Sequence, residues 1–353
     1  MNTKTSKTAA IDQVAAFLEK SGLVTCTWTK SAQAPVFCDY PFGLEKPLNQ
    51  LLEVSFPKGL FKHQVEAINA VLSGENVLIT TGTSSGKSLC YQVPCLNTAL
   101  ADPLSTSLLL FPTKALAFDQ LKKLQSLSSS ESLGEYKNIP LATYDGDTPH
   151  GNRIAIRNSA RILLSNTDML HIGLLPQHTN WERFFCHLKY IVIDEVHTYR
   201  GVFGSHFANV LRRLKRILRF YGSKPQYILT SATISNASDF SSNLTGEAFT
   251  QFSSDTSYQE SRKYFFINPP VVDESLGLRK GLIDQTLEIE RFIASSNVQS
   301  IIFSRTRKTV EITLKRLREI FSSESQESHG YRSGYLPSER RKIEQGLRSG
   351  EIR

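Results

Sequence analysis

The 353-residue sequence is poor in cysteine: Cys26, Cys38, Cys90, Cys95 and Cys186 are the only five, and no two form a C-x-x-C pair. An odd number at these spacings supplies neither a disulfide framework nor a structural zinc site. Free thiols buried in a reducing cytosol fit better. No stretch approaches the roughly 18 consecutive apolar residues of a membrane span. The opening MNTKTSKTAAIDQVAAF has no uninterrupted apolar segment of the kind a secretory signal needs. A cytoplasmic protein is therefore expected. There is no internal repeat and no long low-complexity tract, only a serine-rich loop at residues 126–132.

What is present is ordinary for a globular protein. Hydrophobic residues make up 40% and charged residues 21%, which excludes a disordered chain and a small stapled scaffold. The length suits two domains of roughly 100–200 residues. A net charge of +8 favours an anionic partner, though charge alone does not identify one.

Residues 1–50 read as an N-terminal appendage, with a short amphipathic helix at 11–20 and, over 32–57, four interrupting prolines. From residue 76 short apolar runs alternate with helical segments. Strands are expected at 77–80, 107–111, 141–144, 161–165, 190–194 and 226–230, and helices at 86–99, 114–127, 204–221 and 236–244. Continuous apolar strands followed by helices imply an α/β fold whose parallel sheet is covered on both faces. A first domain at 51–258 and a second at 259–353 follow. The second series has strands at 264–267 and 299–304 and helices at 282–294, 309–321 and 338–348. Two or so strands are too few for such a sheet, so this domain reads as incomplete.

The strand at 77–80 runs into TTGTSSGKS (residues 80–88), with a helix expected from about Gly86. Backbone N–H groups of a Gly/Ser turn at a helix N-terminus form an anion-binding nest. Thr81, Gly82, Thr83, Ser84, Ser85, Gly86, Lys87 and Ser88 are the candidates to hold ATP. Lys87 would reach the β- and γ-phosphates and Ser88 would ligate Mg²⁺. Gly82 and Gly86 would let the backbone approach phosphate. Thr81 stands where the strict pattern has glycine, so in isolation a Gly/Ser turn beside a surface lysine remains an alternative.

The strand at 190–194 is apolar up to Asp194, and Glu195, Val196 and His197 follow. Carboxylates at the end of a buried strand sit in the crevice at the carboxyl edge of the sheet. Asp194 would hold Mg²⁺ and Glu195 would polarise the attacking water. Either motif alone is common; their order and their separate strands point to an ATPase.

At these residues the chain resembles superfamily-two helicases of the DExH (DEVH) type, in the MrfA/YprA-like branch related to RecQ-four-like helicases. The resemblance runs from about Leu60 to Arg353 through LFKHQVEAI, TGTSSGKSLCYQVP, FPTKALAFDQL, YDGDT, SNTDMLHIGLLP, YIVIDEVHTYRGVFGSHFANVLRRL, LTSATI, IIFSRTRKTVE and GYRSGYLPSERRKIEQGLRSGEIR. It implies a complete RecA-like domain followed by an incomplete one, with ATP and Mg²⁺ bound between them. It also implies a motor on single-stranded or partly duplex nucleic acid, expected to be DNA, acting in repair with 3′-to-5′ movement.

The resemblance assigns Gln64 to reading adenine, whose edge its amide matches, with Phe61 against the base or in the core. Lys87, Asp194, Glu195 and His197 become the catalytic set. Ser231 and Thr233 would couple hydrolysis to strand binding. Pro112, Thr113, Lys114, Gly146, Thr167, Asp168, Arg305 and Thr306 would contact nucleic acid. Tyr199, Phe203 and Phe207, at four-residue spacing, fit either base stacking or core packing. The run Arg212, Arg213, Lys215, Arg216 and Arg219 fits either a phosphate-facing or a solvated helix face.

The Q-x-x-G-R-x-G-R motif of these helicases is not in this sequence, and neither is the branch's cysteine-rich zinc module. The arginines of that motif stabilise the transferring phosphoryl group, and such a group is worth ~10³–10⁵ in rate. A C-terminally truncated helicase that binds ATP but hydrolyses it poorly is the expectation. One alternative is a nucleic-acid-binding or inhibitory fragment that pairs with a separately encoded C-terminal half. The other is a phosphate-loop kinase or transport ATPase.

Overall fold

The computed structural model describes residues 2–129, 139–232, 234–296, 298–321, 328–332 and 334–352. The chain divides into two compact units, one of residues 1–31 with 261–353 and one of 32–260. The first thirty residues thus join the C-terminal segment, where the sequence suggested a separate appendage through residue 50. Their helix α1 (Asn2–Lys20) is followed by strand β1 (Val24–Lys30). β1 acquires a partner between 232 (Lys30 to Arg262) and 243 (Val24 to Ile267) residues away in sequence, and nothing in its own pattern announces one.

The unit of residues 32–260 starts with β2 (Phe37–Cys38), α2 (Lys46–Ser55), β3 (Leu60–Phe61) and α3 (Lys62–Leu72). Then β4 (Val77–Ile79), α4 (Leu89–Ala101), β5 (Thr106–Phe111), α5 (Lys114–Ser128), β6 (Leu141–Thr143) and α6 (His150–Ser159) alternate strand and helix. They are followed by β7 (Ile162–Asn166), α7 (Thr167–Met169), α8 (Glu182–Cys186), β8 (Leu188–Ile193) and α9 (Gly201–Phe220). The unit closes with β9 (Gln226–Thr230), α10 (Ala237–Thr245) and β10 (Thr250–Phe252). Much of the serine-rich stretch at 126–132 belongs to α5 or lies outside the described residues.

Seven strands pair in the order β10-β4-β9-β8-β5-β7-β6. Every pairing in this sheet is parallel, so all carboxyl ends lie along one edge. Alternate side chains feed two hydrophobic layers. Val77, Ile79, Leu109, Phe111, Tyr190 and Val192 pack with α2 to α5 on one face. Leu78, Leu108, Leu110, Ile191 and Ile193 pack with α8 to α10 on the other. Two-sided burial is why these strands read as unbroken apolar runs. The six expected strands form within about two residues of their predicted limits. The edge strand β10 was not predicted, because TQF is short and half polar.

In the other unit β1 pairs antiparallel with β11 (Arg262–Ile267). β12 (Val271–Asp273) and β13 (Leu278–Arg279) form a small antiparallel ribbon. Helices α11 (Leu282–Ser295), α12 (Arg307–Ile320) and α13 (Pro337–Ser349) follow. Phe17 of α1 stacks on Phe292 of α11, their ring centroids 3.8 Å apart. The strand expected at 299–304 does not form. Among the described residues no neighbour offers it a hydrogen-bond ladder, and Ile301 and Phe303 are exposed. No helix among the described residues is long and apolar enough to cross a membrane.

Candidate nucleotide and nucleic-acid site

The carboxyl edge of the sheet gathers the candidate residues in spatial order. β4 leads into the phosphate loop, β9 into Ser231, β8 into Asp194, β5 into Pro112, β7 into Thr167, and β6 into the turn carrying Gly146. The nucleotide candidates thus occupy the β4-β9-β8 half and the nucleic-acid candidates of this unit the β5-β7-β6 half. Residues more than one hundred positions apart meet because strand order differs from chain order.

After Ile79 the loop turns through two left-handed residues, Ser84 at φ 64° and Gly86 at φ 79°. Gly86 therefore cannot begin a helix, and α4 starts at Leu89, three residues later than the sequence suggested. Its first bonds are tight, from Leu89 N–H to Gly86 O and from Cys90 N–H to Lys87 O. The Ser85 hydroxyl donates to Gly82 O at 2.8 Å and lies 2.6 Å from the Thr81 hydroxyl. Lys87 Nζ donates to the carbonyls of Thr81 (2.9 Å) and Gly82 (2.7 Å), folding its ammonium over the loop. Thr83 is exposed and Ser88 half-buried at the start of the turn.

The two loop glycines answer to protein neighbours. A Cβ on Gly82 would stand 2.9 Å from Asp255 Oδ2, and one on Gly86 2.3 Å from Gln64 Nε2. Gln64 is buried, donates through Nε2 to Gly86 O at 2.9 Å and accepts at Oε1 from Phe61 N–H at 3.0 Å. Both ends of the amide expected to read adenine are thus engaged within the protein. Phe61 stacks with Phe37 at 5.2 Å between centroids.

Asp194 follows the last residue of β8 and is 7% exposed. Its Oδ1 accepts from the Thr230 hydroxyl and from Glu195 N–H, the latter at 3.0 Å. Burial raises its pKa above the ordinary carboxylate value; the Thr230 hydrogen bond and the Lys87 charge oppose that rise only in part. Both hydrogen bonds fall on Oδ1. A carboxylate held in such a place suits a cation. The donor set of Asp194 with the Ser88 hydroxyl fits a hard divalent ion.

Glu195 is itself left-handed at φ 51°, a conformation costing a non-glycine residue about 1 kcal/mol or more. Its Oε2 lies 3.2 Å from His197 Nδ1. That nitrogen accepts from Ala232 N–H at 3.1 Å, so the acidic motif touches the segment after β9. Ser231, in the same segment, is fully buried, and its hydroxyl has no hydrogen-bond partner among the described residues. Thr233 lies outside the described residues.

On the other half of the edge, Thr113 caps α5 by accepting from Leu116 N–H at 3.3 Å. Lys114 reaches across to Asp147 Oδ1 at 2.7 Å and lies over Gly146, where a Cβ would meet its Nζ at 3.2 Å. Pro112 is half-buried, Thr167 buried and Asp168 exposed. In the other unit Thr306 caps α12, accepting from Thr309 N–H at 3.1 Å, with exposed Arg305 before it. Tyr199 and Phe207 are buried against each other, 4.4 Å between centroids, whereas Phe203 is 43% exposed. Of the basic run on α9, Lys215 pairs with Glu247 and Arg213 leans on His171.

Several residues around the loop carried no sequence signal: Thr230, His63, Asp255 and Thr256. Thr230 ended a predicted strand and Asp255 is 173 residues from its partner Gly82. Only the sheet order brings them to the loop.

Comparison with known proteins shows the family to which this fold belongs. The DEAD/DEAH box helicase family matches residues 61–240. The chain is 46% identical over 296 residues to the ATP-dependent helicase YprA of Bacillus subtilis, covering 83% of this chain and 39% of that protein. It is 39% identical over 304 residues to the ATP-dependent helicase HRQ1 of Saccharomyces cerevisiae, covering 84% and 28%. The DUF1998 helicase MrfA bound to DNA superposes with a TM-score of 0.90 at 39% identity, over 97% of this chain and 48% of that one. The same helicase bound to DNA and AMPPNP gives 0.88. The chain therefore spans less than half the length of each.

Proposed function

Because the chain belongs to the DEAD/DEAH box helicase family, we propose that it is the ATP-binding portion of a nucleic-acid helicase acting on DNA. The observation that carries this reading is the shared edge of one parallel sheet. The phosphate loop, Asp194–Glu195 and Ser231 occupy one half of it, and Lys114, Gly146 and Thr167 the other. The two halves adjoin at β8 and β5, so hydrolysis and strand binding would act on neighbouring loops. The relatives named as ATP-dependent helicases, and the neighbour bound to DNA and AMPPNP, support the same reading.

In this proposal the loop N–H groups and Lys87 receive the phosphates, exchanging the carbonyls of Thr81 and Gly82 for phosphate oxygens as partners of the ammonium. Asp194 and Ser88 would hold Mg²⁺, which supplies charge neutralisation across the phosphate oxygens. Glu195 orients the attacking water and accepts its proton. His197, whose Nδ1 lies near both Glu195 and Ala232 N–H, would link the acidic motif to the segment after β9. Pro112, Thr113, Lys114, Gly146, Thr167, Asp168, Arg305 and Thr306 take the sugar-phosphate backbone, which makes binding independent of sequence. A role in repair follows from the resemblance to the MrfA-like branch.

The test is nucleotide and DNA binding by residues 1–353. ATP binding lost in Lys87→Ala, and single-stranded DNA binding weakened in Lys114→Ala, are expected. Hydrolysis by this polypeptide alone should be slow, for want of the arginine motif. Rapid DNA-stimulated hydrolysis would overturn that last point; ATP binding without any DNA binding would favour a kinase or transport ATPase.

A further inference from the structure

The segment following β10 reaches the phosphate loop by two routes, one direct and one through His63 of α3. Asp255 Oδ2 accepts from Gly82 N–H at 3.2 Å. The Thr256 hydroxyl lies 2.7 Å from His63 Nδ1 and accepts from His63 N–H at 3.1 Å. The other ring nitrogen, His63 Nε2, is 3.1 Å from Ser85 O. Only a protonated Nε2 can donate to that carbonyl, so Nδ1 is the acceptor for the Thr256 hydroxyl. The hydroxyl then has a defined direction, and the chain of bonds Ser85–His63–Thr256 is fixed end to end.

Each member is held from behind. Asp255 Oδ1 accepts from the Ser257 amide (3.0 Å) and hydroxyl (2.6 Å). Gln33 Nε2 donates to Asp255 O, and Val36 N–H to Thr256 O at 2.9 Å. Gln33 and Gln259 exchange backbone hydrogen bonds at 2.9 and 3.1 Å. His63 is 1% exposed, and Thr256 9%. The His63–Thr256 contacts are buried and those of Asp255 part-buried, and loss of either leaves polar groups unpaired.

Ala32 and Glu260 are the first and last residues of this unit. Both passages of chain out of it therefore begin within a few residues of the Gln33–Gln259 bridge. The segment that holds Gly82 and Ser85 is the segment through which the chain leaves.

We propose that His63, Asp255 and Thr256 are positioning residues of the phosphate loop, and that they tie its backbone to the connector at 253–260. Phosphate entering the loop must reorganise Gly82, whose carbonyl now accepts from Lys87 and whose amide is held by Asp255. Any shift there passes to Asp255, and a shift of Ser85 passes through His63 to Thr256. The connector thereby senses whether the loop is filled. This inference rests on the nucleotide reading above for its ligand, but the brace itself is a property of the free chain.

The experiment has two arms on the 353-residue chain, with Thr256→Val, Asp255→Ala and the conservative Thr256→Ser. Without ligand, amide hydrogen exchange in peptides covering 80–88 should quicken about tenfold in the first two variants, as loss of a charge-assisted or buried hydrogen bond predicts. Peptides from β8 and α9 should be unchanged, and Thr256→Ser should behave as wild type. Unchanged exchange at 80–88 overturns the proposal. With ATP, wild type should gain protection over 253–260, and Thr256→Val should lose that gain with about tenfold weaker binding. Normal affinity and connector protection in Thr256→Val also overturn it. If wild type binds no ATP yet the ligand-free exchange responds as expected, the brace stands and the nucleotide reading falls.

Discussion

Gln64 holds the phosphate loop from beneath, its Nε2 donating to Gly86 O at 2.9 Å. Since its Oε1 is occupied by Phe61 N–H, the side chain links the start of α3 to the turn that precedes α4. Gln64→Ala is expected to weaken ATP and GTP by a similar factor, on the order of tenfold for one or two lost buried hydrogen bonds. Titration with fluorescent analogues of both nucleotides checks this. A loss confined to adenine nucleotides would make base reading the dominant role.

Asp194 carries a cost in the free protein. Its pKa is raised by burial, so the folded chain binds that proton more tightly than the unfolded chain does. Its contribution to stability therefore falls as pH rises above the unfolded value of about 3.9, and the full penalty stands at neutral pH. Asp194→Asn keeps an acceptor for Thr230 and should raise Tm at pH 7 by a few degrees, with a smaller gain near pH 4. Thermal melts across that range measure it. The same variant should lose metal-dependent nucleotide retention.

His63 responds to acid in the opposite direction. Burial holds its pKa below the ordinary 6.5, against the pull of Asp255 and the Ser85 carbonyl. On acidification the unfolded histidine takes a proton that the folded one refuses, so stability falls as pH drops below about 6.5. Urea midpoints at pH 7.5 and 5.5 should differ less in His63→Gln, which does not titrate, than in wild type. Equal losses would assign the acid sensitivity to other groups.

Lys114 and Asp147 form an exposed ion pair, their side chains 45% and 78% accessible. Such pairs contribute about 0–1 kcal/mol, so Lys114→Ala should leave Tm almost unchanged. If Lys114 contacts phosphate, the same change should weaken single-stranded DNA and reduce the slope of log K against log salt by about 0.7. An unchanged slope would remove Lys114 from the interface.

Much of this organisation was legible because each signal was local. The runs at 108–111 and 190–193 are apolar at every position because both sheet faces are covered, and the loop motif is compact. What escaped were features fixed by a distant partner. β10 is a strand because β4 offers an open edge; TQF alone says nothing. Residues 299–304 carry the apolar run Ile301–Ile302–Phe303 but find no ladder among the described residues, so the local pattern misled there. The helix start slipped from Gly86 to Leu89 because a left-handed glycine, welcome in the loop, is excluded from the helix. Asp255 and Thr256 lie in an unremarkable SSDTSYQ stretch whose role exists only once β10 has been laid beside β4.

Strand order also sets a timetable. Both neighbours of β4 in the sheet, β9 and β10, are the last two strands of their unit to be synthesised. A nascent chain that has reached residue 225 has β5, β6, β7 and β8 ready to pair, while β4 and the phosphate loop have no strand on either side. The loop gains its frame only when residues 226–252 emerge, and its brace when residue 256 does. Synthesis proceeds at roughly 5–20 residues per second, so the strands of the rest of this sheet leave the ribosome before those that complete the cradle. Premature release between residues 88 and 226 would yield a chain with its motif intact in sequence and no competent pocket in space.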